Sequence, residues 1–340
     1  MSEARTRAVC LVAEPIHPAG IEHLQRSGVE VRFASNPALE QVPAELHDVD
    51  AIIVRNALPR AAIDAAPRLA VIANHGTGTD AVDVGHASER GVPVVNTPTG
   101  NVDAVAEHTI MLMLAVARKA VVADRATRRA DTRFKYQQPT LSLAGKTLGV
   151  VGFGHTGQRV AALARGLRMR VVVWSPRADA ERIEAFGAHV AASFDRLLAE
   201  ADVLSLHRPL RPDTRHTLNR ATLAQLKPTA IVINTSRGGL IDEEALADAL
   251  EQGRLFGAGL DVLAVEPLPL ASRLAALDNV TLSPHIAGST EEALRETAVQ
   301  CALQVVDVLH DRRPAALVVP DVWERRVRFI PRTSELENKA

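Results

Sequence analysis

Aromatic residues are scarce in this chain: seven Phe, two Trp and one Tyr make up 3% of 340 residues. That excludes the stacking surface a single-stranded nucleic-acid binder needs. Cores must instead be built from Ala, Val, Leu and Ile, which suits close packing of helices on sheets. Cysteine is nearly absent as well. Cys10 and Cys301 are too few for a disulfide framework, and Cys10 falls in an apolar, strand-like run. Both read as reduced core thiols of a cytoplasmic protein. There is no excess of either charge, the formal net charge being −1. No whole-protein field therefore draws a polyanion or an anionic membrane, and an acidic substrate must be attracted locally. The Arg-rich stretch holding Arg118, Lys119, Arg125, Arg128 and Arg129 reads as a solvated or subunit-facing helix surface. No run reaches the roughly 20 apolar residues that span a bilayer. The longest candidate, 109–117, is too short, and Met1 to Arg7 is polar without the apolar region of a signal peptide. Neither H-E-x-x-H nor paired cysteines occur, so no metal is expected. The expectation is a soluble cytoplasmic protein with no nucleic-acid or membrane partner.

What is present is a regular alternation. Apolar strand-like runs at 8–13, 29–34, 51–54, 70–73 and 92–96 are separated by helical patterns at 18–27, 60–66 and 82–90. Fully apolar strands between helices imply parallel sheets covered on both faces. After Pro98, residues 102 to about 129 read as one long helix, unbroken by Gly or Pro. Residues 137–139 break the chain, and a second series begins. Its strands are expected at 147–151, 170–174, 203–207, 230–234, 258–262 and 279–283, with helices at 157–167, 194–200, 221–226 and 242–252. A final helix at 291–309 can carry the chain back to the first lobe. From Asp321 the sequence turns basic and then polar, ending in Ser334–Ala340, and reads as a loosely ordered tail.

The strand ending at Val151 runs directly into Gly152-Phe153-Gly154-His155-Thr156-Gly157 and then a helix. G-x-G-x-x-G alone is a weak signal; strand before and helix after make it a dinucleotide-binding turn. Gly152 permits the tight turn, Gly154 lets the backbone approach a pyrophosphate, and Gly157 allows close helix–strand packing. The helix N-terminus supplies the anion site. An NAD site usually carries an acid at the end of the next strand, about 20 residues past the glycines. Here the chain reads Trp174-Ser175-Pro176-Arg177. Ser175 cannot repel a 2′-phosphate and Arg177 can pair with one, which favours NADP(H) over NAD(H). Asp179 lies close enough to leave NAD(H) open.

Three further motifs follow strands of the second series: Asn234-Thr235-Ser236-Arg237-Gly238-Gly239, Gly259-Leu260-Asp261 running on to Glu266-Pro267, and Ser283-Pro284-His285-Ile286-Ala287-Gly288. Each sets an ionisable residue beyond a strand's carboxyl end, where open α/β sheets gather ligands. Arg237, Glu266 and His285 are what reduction of a 2-oxo acid requires. A carboxylate is best held by a planar bidentate cation. The carbonyl oxygen needs a proton as hydride reaches the adjacent carbon, and His titrates near working pH. An acid behind that His orients it and favours its charged form. Singly, these residues have ordinary readings: an ion-pair arginine, a surface acid before proline, a buried structural histidine. Their ordered combination is what points to chemistry.

With the glycine loop, these motifs resemble the D-isomer-specific 2-hydroxyacid dehydrogenases, which include phosphoglycerate dehydrogenase and the glyoxylate/hydroxypyruvate reductases, over about residues 8 to 310. The resemblance implies that Arg237 binds and polarises the substrate, Glu266 supports the histidine, and His285 is the proton donor or acceptor. It implies substrate contacts at Arg55, His75 and Gly76. It implies cofactor contacts at Thr77, Gly152, Gly154, His155, Thr156, Gly157, Ser175, Arg177, Arg208, Thr235, Ser236, Asp261, His285 and Gly288. Asn96-Thr97-Pro98 and Ala106-Glu107-His108-Thr109 match further family motifs. Apart from the resemblance, His75, His207 and His216 read as packing or solvated residues.

The chain departs from the family pattern at His155 and Thr156, where Arg and Ile are commoner. Asn74 stands where similar phosphoglycerate dehydrogenases carry a base, and the sequence ends early for a regulatory amino-acid-binding domain. Both points weaken the phosphoglycerate reading, which Arg55 keeps alive. Glu266 argues against the formate dehydrogenase branch. A dinucleotide-sensing corepressor-like protein and a phosphite oxidase are rival readings on the same scaffold. The expected fold is α/β, two doubly wound parallel-sheet lobes of Rossmann and flavodoxin-like form with an active-site cleft between them. Residues 1–100 plus 289–340 would bind substrate and 101–288 the dinucleotide. A homodimer through the cofactor domains, acting on small 2-oxo acids, completes the expectation.

Overall fold

The computed structural model describes residues 7–330. The polar N-terminus before Arg7 and the tail Ser334–Ala340 lie outside the described residues. The chain divides into two compact units: residues up to Asn101 together with those from Glu291 form one, and Val102–Thr290 the other.

The first unit begins β1 (Val9–Val12), α1 (Pro18–Arg26), β2 (Glu30–Phe33), β3 (Ala51–Val54), α2 (Arg60–Asp64), β4 (Val71–Asn74), α3 (Val84–Glu89) and β5 (Val94–Val95). Its sheet has the order β2-β1-β3-β4-β5, with every pairing parallel. β1, β3 and β4 are buried along their whole length, as strands covered on both faces must be. Two 3₁₀ turns, Leu39–Gln41 and Pro43–Leu46, fill the connection between β2 and β3. They are too short for a hydrophobic period to announce them.

The second unit opens with α4 (Val102–Ala117), α5 (Ala120–Arg128) and α6 (Phe134–Gln137). The single helix expected over 102–129 is therefore two. Lys119 breaks it with a left-handed backbone, φ 50. That conformation costs on the order of 1 kcal/mol for a side chain with Cβ. It is held by Lys119 Nζ on Gln138 Oε1 at 2.7 Å, by the same ammonium 5.5 Å over the Phe256 ring, and by Leu141 N–H donating to Ala117 O. The reason for the break is tertiary. α4 buries Leu112, Met113 and Val116 against the sheet, whereas no residue of α5 is buried.

The unit continues with β6 (Thr147–Val151), α7 (His155–Gly166), β7 (Arg170–Trp174), α8 (Ala180–Ala185), β8 (His189–Val190), α9 (Phe194–Glu200), β9 (Val203–Leu206), α10 (Arg220–Leu223), β10 (Ile231–Asn234), α11 (Glu243–Glu251), β11 (Gly257–Leu260) and β12 (Val280–Leu282). The strands form one parallel sheet in the order β12-β11-β10-β9-β6-β7-β8. Strand order reverses at β6, whose neighbours are β7 and β9, which makes this the ligand-gathering point of a doubly wound sheet. Neither α8 nor β8 is marked by the apolar pattern. Asp179 caps α8 by accepting from Glu181 N–H at 3.1 Å, and β8 is a two-residue exposed edge.

The chain then returns to the first unit as α12 (Glu291–Leu309), which lays Cys301, Ala302, Val305 and Val306 into a core shared with Cys10, Val12 and Ile53. Both thiols are free and buried, and burial pushes Cys10 up to about 12. The segment from Asp321 is not a loose tail as far as Ile330. Val322 and Trp323 are buried, Arg326 stacks 3.5 Å from the centre of the Trp323 ring, and Val327 N–H donates to Gly91 O. Two apolar anchors hold what composition alone reads as basic and polar. Among the described residues no helix is long and apolar enough to cross a membrane.

Candidate active site

Six strands of the second unit deliver their following residues to one end of the sheet: Gly152 after β6, Ser175 after β7, His207 and Arg208 after β9, Thr235 after β10, Asp261 after β11 and Ser283 after β12. Parallel pairing does this automatically, because every carboxyl end points the same way.

At the glycine turn, Gly152 has φ 97, and a Cβ there would collide with the carbonyl oxygen of His207. A Cβ on Gly157 would collide with Gly152 O. The two glycines thus let α7 and the β9 loop close on the end of β6. α7 starts at His155 rather than at Gly157, with Gly154 as its N-cap, because Gly157 lies inside the first helical turn. The first N–H groups of a helix lack partners within it. Gly154 meets nothing where a Cβ would be, so the backbone lies open there to an anion. These residues fit a dinucleotide pyrophosphate. Ser175 is half-buried and Arg177 exposed. The carboxylate of Asp179, two residues further on, is engaged in capping α8.

The three catalytic candidates sit on adjoining loops. Nδ1 of His285 lies 2.8 Å from Glu266 Oε2, and Glu266 Oε1 accepts from Leu263 N–H at 2.9 Å. Arg237 reaches the same loop through its neighbour: a Cβ on Gly238 would fall on the backbone of Leu263 and Ala264. Only glycine lets the Arg237 loop lie so close to the segment that carries Glu266. Buried Asn234 sets that loop, accepting from Ser236 N–H and Oγ while its amide donates to Arg237 O at 2.8 Å. An Arg237 N–H donates to Ser236 O at 2.7 Å. Thr235 Oγ1 is 2.8 Å from Thr109 Oγ1 of α4.

Asp261 anchors the histidine segment. Its buried carboxylate accepts from Ser283 Oγ (2.7 Å) and from the N–H groups of Ile286 and Ala287 (2.9 Å each), and its own carbonyl accepts from His285 N–H. His108 Nε2 lies 2.8 Å from Ser283 Oγ and 3.3 Å from Asp261 Oδ1. Burial works to raise the Asp261 pKa, but His108, Ser283 and the two N–H groups outweigh it and hold the carboxyl below its ordinary value. Sequence alone assigns no function to His108 or Ser283. Their signal lies in the motif around His108 and the Ser before Pro284, but only the fold joins residues 175 apart in the chain. His207 contacts Ser205 Oγ at 2.8 Å, and burial pulls it down to about 4; His216 is exposed.

The remaining candidates belong to the first unit and surround the end of β4. Asn74 spends its amide on the carbonyls of Gly76 and Gly78, at 3.0 and 3.1 Å, and so shapes the loop instead of projecting from it. Thr77 Oγ1 donates to Thr97 O, and Asn96 Nδ2 donates to Thr77 O. Buried Glu14 accepts from the backbone N–H groups of Arg55 and Asn56, leaving the Arg55 guanidinium on Pro15 O at 3.1 Å. His75 is buried, and its Nε2 has no hydrogen-bond partner among the described residues. Burial, then the charge of Arg55, pull it down to about 4.

Two doubly wound parallel sheets, one with a glycine turn at its switch point and a His–Glu pair beyond neighbouring strands, define a nicotinamide-linked dehydrogenase architecture. The profile described as "D-isomer specific 2-hydroxyacid dehydrogenase, NAD binding domain" matches residues 110–287. The chain belongs to the D-isomer-specific 2-hydroxyacid dehydrogenase family. It is 39% identical over 330 residues to a D-3-phosphoglycerate dehydrogenase of Synechocystis sp., an alignment covering 94% of this chain and 58% of that one. The chain thus spans little more than half the length of the curated relatives it matches. Among solved structures it is similar to the NADPH-dependent glyoxylate/hydroxypyruvate reductase of Sinorhizobium meliloti in complex with NADP and malonate: TM-score 0.85, 29% identity, covering 96% of this chain and 100% of that one. A glyoxylate reductase of Paecilomyes thermophila gives TM-score 0.84 and 31% identity, covering 93% of this chain and 99% of that one.

Proposed function

We propose that the chain is a D-2-hydroxyacid dehydrogenase that runs as a reductase of small 2-oxo acids, glyoxylate and hydroxypyruvate first, with NADP(H) preferred to NAD(H). The observation that carries this reading is the His285–Glu266 pair, 2.8 Å apart on loops that adjoin Arg237. A bound nicotinamide dinucleotide supplies the hydride. Arg237 holds the substrate carboxylate through its planar fork and polarises the carbonyl. His285, as imidazolium, gives its Nε2 proton to the carbonyl oxygen as negative charge develops there. Glu266 keeps the ring in orientation and balances its charge. In the opposite direction the same nitrogen takes the proton from the hydroxyl. Arg55, His75 and Gly76 complete the substrate contacts in this reading; Thr77, His155, Thr156, Ser175, Arg177, Arg208, Thr235, Ser236, Asp261 and Gly288 complete those to the cofactor.

The preference for NADP(H) rests on the residues just after β7. Ser175 offers no negative charge against a 2′-phosphate, and Asp179, the nearby acid, is engaged at the start of α8. We further read the protein as a cytoplasmic homodimer joined through the α4–α5 face, on which Met111, Leu114 and Val121 are exposed. A second substrate reading, 3-phosphohydroxypyruvate, is favoured by the relatives of 38–40% identity and by Arg55.

The test is NADPH and NADH oxidation at 340 nm with glyoxylate, hydroxypyruvate, pyruvate, phenylpyruvate and 3-phosphohydroxypyruvate. Turnover of the first two, faster with NADPH, is expected. Turnover confined to the phosphorylated acid would replace the substrate assignment, and no turnover of any would overturn the catalytic one.

A further inference from the structure

We propose that Arg208 is the second arm of a clamp on the cofactor's 2′-phosphate, with Arg177 as the first. The clamp rests on the NADP(H) reading and adds to it the residue that makes the preference strong.

Arg208 follows β9, next to β6 in the sheet, and its stem lies across the glycine turn: its Cγ is 2.9 Å from where a Cβ on Gly152 would be. From there the side chain runs towards β7, and its guanidinium lies 5.1 Å from the centre of the Trp174 ring. Trp174 closes β7 immediately before Ser175, where the ribose end of the dinucleotide is read. Trp174 itself rests on Phe194, with ring centres 4.7 Å apart, so the platform is fixed. A guanidinium stacked on an indole has one face occupied and its edge donors available, the arrangement suited to a planar, bidentate grip on phosphate.

The charge balance points the same way. Among the described residues neither Arg177 nor Arg208 has an ion pair. Burial lowers the Arg208 pKa; Asp213 opposes this, and the positive charges of Arg211 and Arg177 add to it. Asp213 is itself within 3.5 Å of Arg211 Nε. The guanidinium groups of Arg211 and Arg177 therefore both act on that of Arg208, against the one carboxylate of Asp213. Such an excess of like charge opposes folding, and a ligand carrying about two negative charges relieves it. The pyrophosphate is not that ligand group, because the glycine turn and the start of α7 serve it.

The experiment is calorimetric titration of the full chain with 2′,5′-ADP and with 5′-AMP, fragments that lack nicotinamide and so report binding without turnover. Wild type should bind 2′,5′-ADP more tightly. Arg208→Gln keeps the stem on Gly152 and should weaken 2′,5′-ADP by about 10- to 100-fold while changing 5′-AMP by less than about threefold. Arg208→Lys, which keeps charge and stem but loses the fork, should also lose 2′,5′-ADP affinity and serves if the glutamine variant does not fold. An unchanged 2′,5′-ADP affinity, or equal losses on both ligands, overturns the clamp and leaves the NADP(H) reading standing. Wild type binding both fragments equally overturns the NADP(H) reading, and the clamp with it.

Discussion

His285 and Glu266 meet through one ring nitrogen and one carboxylate oxygen, Nδ1 to Oε2 at 2.8 Å, and the backbone on either side is committed to that meeting. The other carboxylate oxygen is held by Leu263 N–H, and His285 takes a left-handed φ of 54. A non-glycine residue keeps such a conformation, at about 1–3 kcal/mol, only where its surroundings over-determine it. Here the bonds from His285, Ile286 and Ala287 N–H groups to Asp261 do so. Nε2 is then the ring nitrogen available for proton transfer.

Removing the proton donor should leave the cofactor site intact. His285→Asn is expected to lower kcat by at least ~100-fold. Cofactor affinity, read by fluorescence titration, should hardly move. Glu266→Gln keeps a hydrogen-bond partner for Nδ1 but removes the charge, at a cost of about 10- to 100-fold in kcat/KM. Near-normal turnover of the His285 variant would falsify the catalytic assignment.

Arg237 tests geometry separately from charge. Arg237→Lys retains one positive charge and loses the fork, so kcat/KM should fall by about 10- to 100-fold, chiefly through KM. Steady-state kinetics with glyoxylate measure this directly. A variant with both parameters unchanged would mean that the substrate carboxylate is held elsewhere.

Much of this architecture is legible without coordinates because its elements are locally consistent. β3, β6, β7, α9 and α12 have boundaries that the apolar runs and helical periods already mark. The glycine turn is equally plain, since its residue types answer to one backbone path. What escapes is whatever depends on contacts distant in sequence. Lys119 takes a glycine-like conformation for the sake of Gln138 and Phe256. Val322 and Trp323 order a segment whose composition reads as a tail. His108 and Ser283 join Asp261 from opposite ends of the second unit. Asp179, which sequence proximity leaves as a possible ribose ligand, is engaged by a six-residue helix too short to be foreseen.

Acid should weaken the fold before most carboxylates titrate. His207 and His75 are both held down to about 4 in the folded protein, against about 6.5 when exposed. Between those values the unfolded chain binds protons that the folded chain refuses, so stability falls as pH drops from 6.5 towards 4. His207→Gln can keep a partner for Ser205 and does not titrate. Its Tm should therefore vary less with pH across that window than wild type does. Parallel Tm–pH curves for the two proteins would show that His207 is not the neutral buried group inferred.

Asp261 behaves in the opposite sense and marks a second window. Its folded pKa is depressed, so its contribution to stability is fully present above the unfolded value near 3.9 and is lost as pH falls through the lower folded value. Asp261→Asn offers one oxygen and an amide where Ser283 Oγ and the N–H groups of Ile286 and Ala287 all need acceptors. At least one buried donor is left unpaired, at a cost of about 1–3 kcal/mol. The difference in unfolding free energy between variant and wild type, measured by urea titration, should be largest at neutral pH and narrow below about pH 4. Because the same carboxylate fixes the segment carrying His285, kcat should fall with it even at temperatures where the variant is folded. Full activity in a destabilised variant would separate the two roles and leave Asp261 as a structural anchor alone.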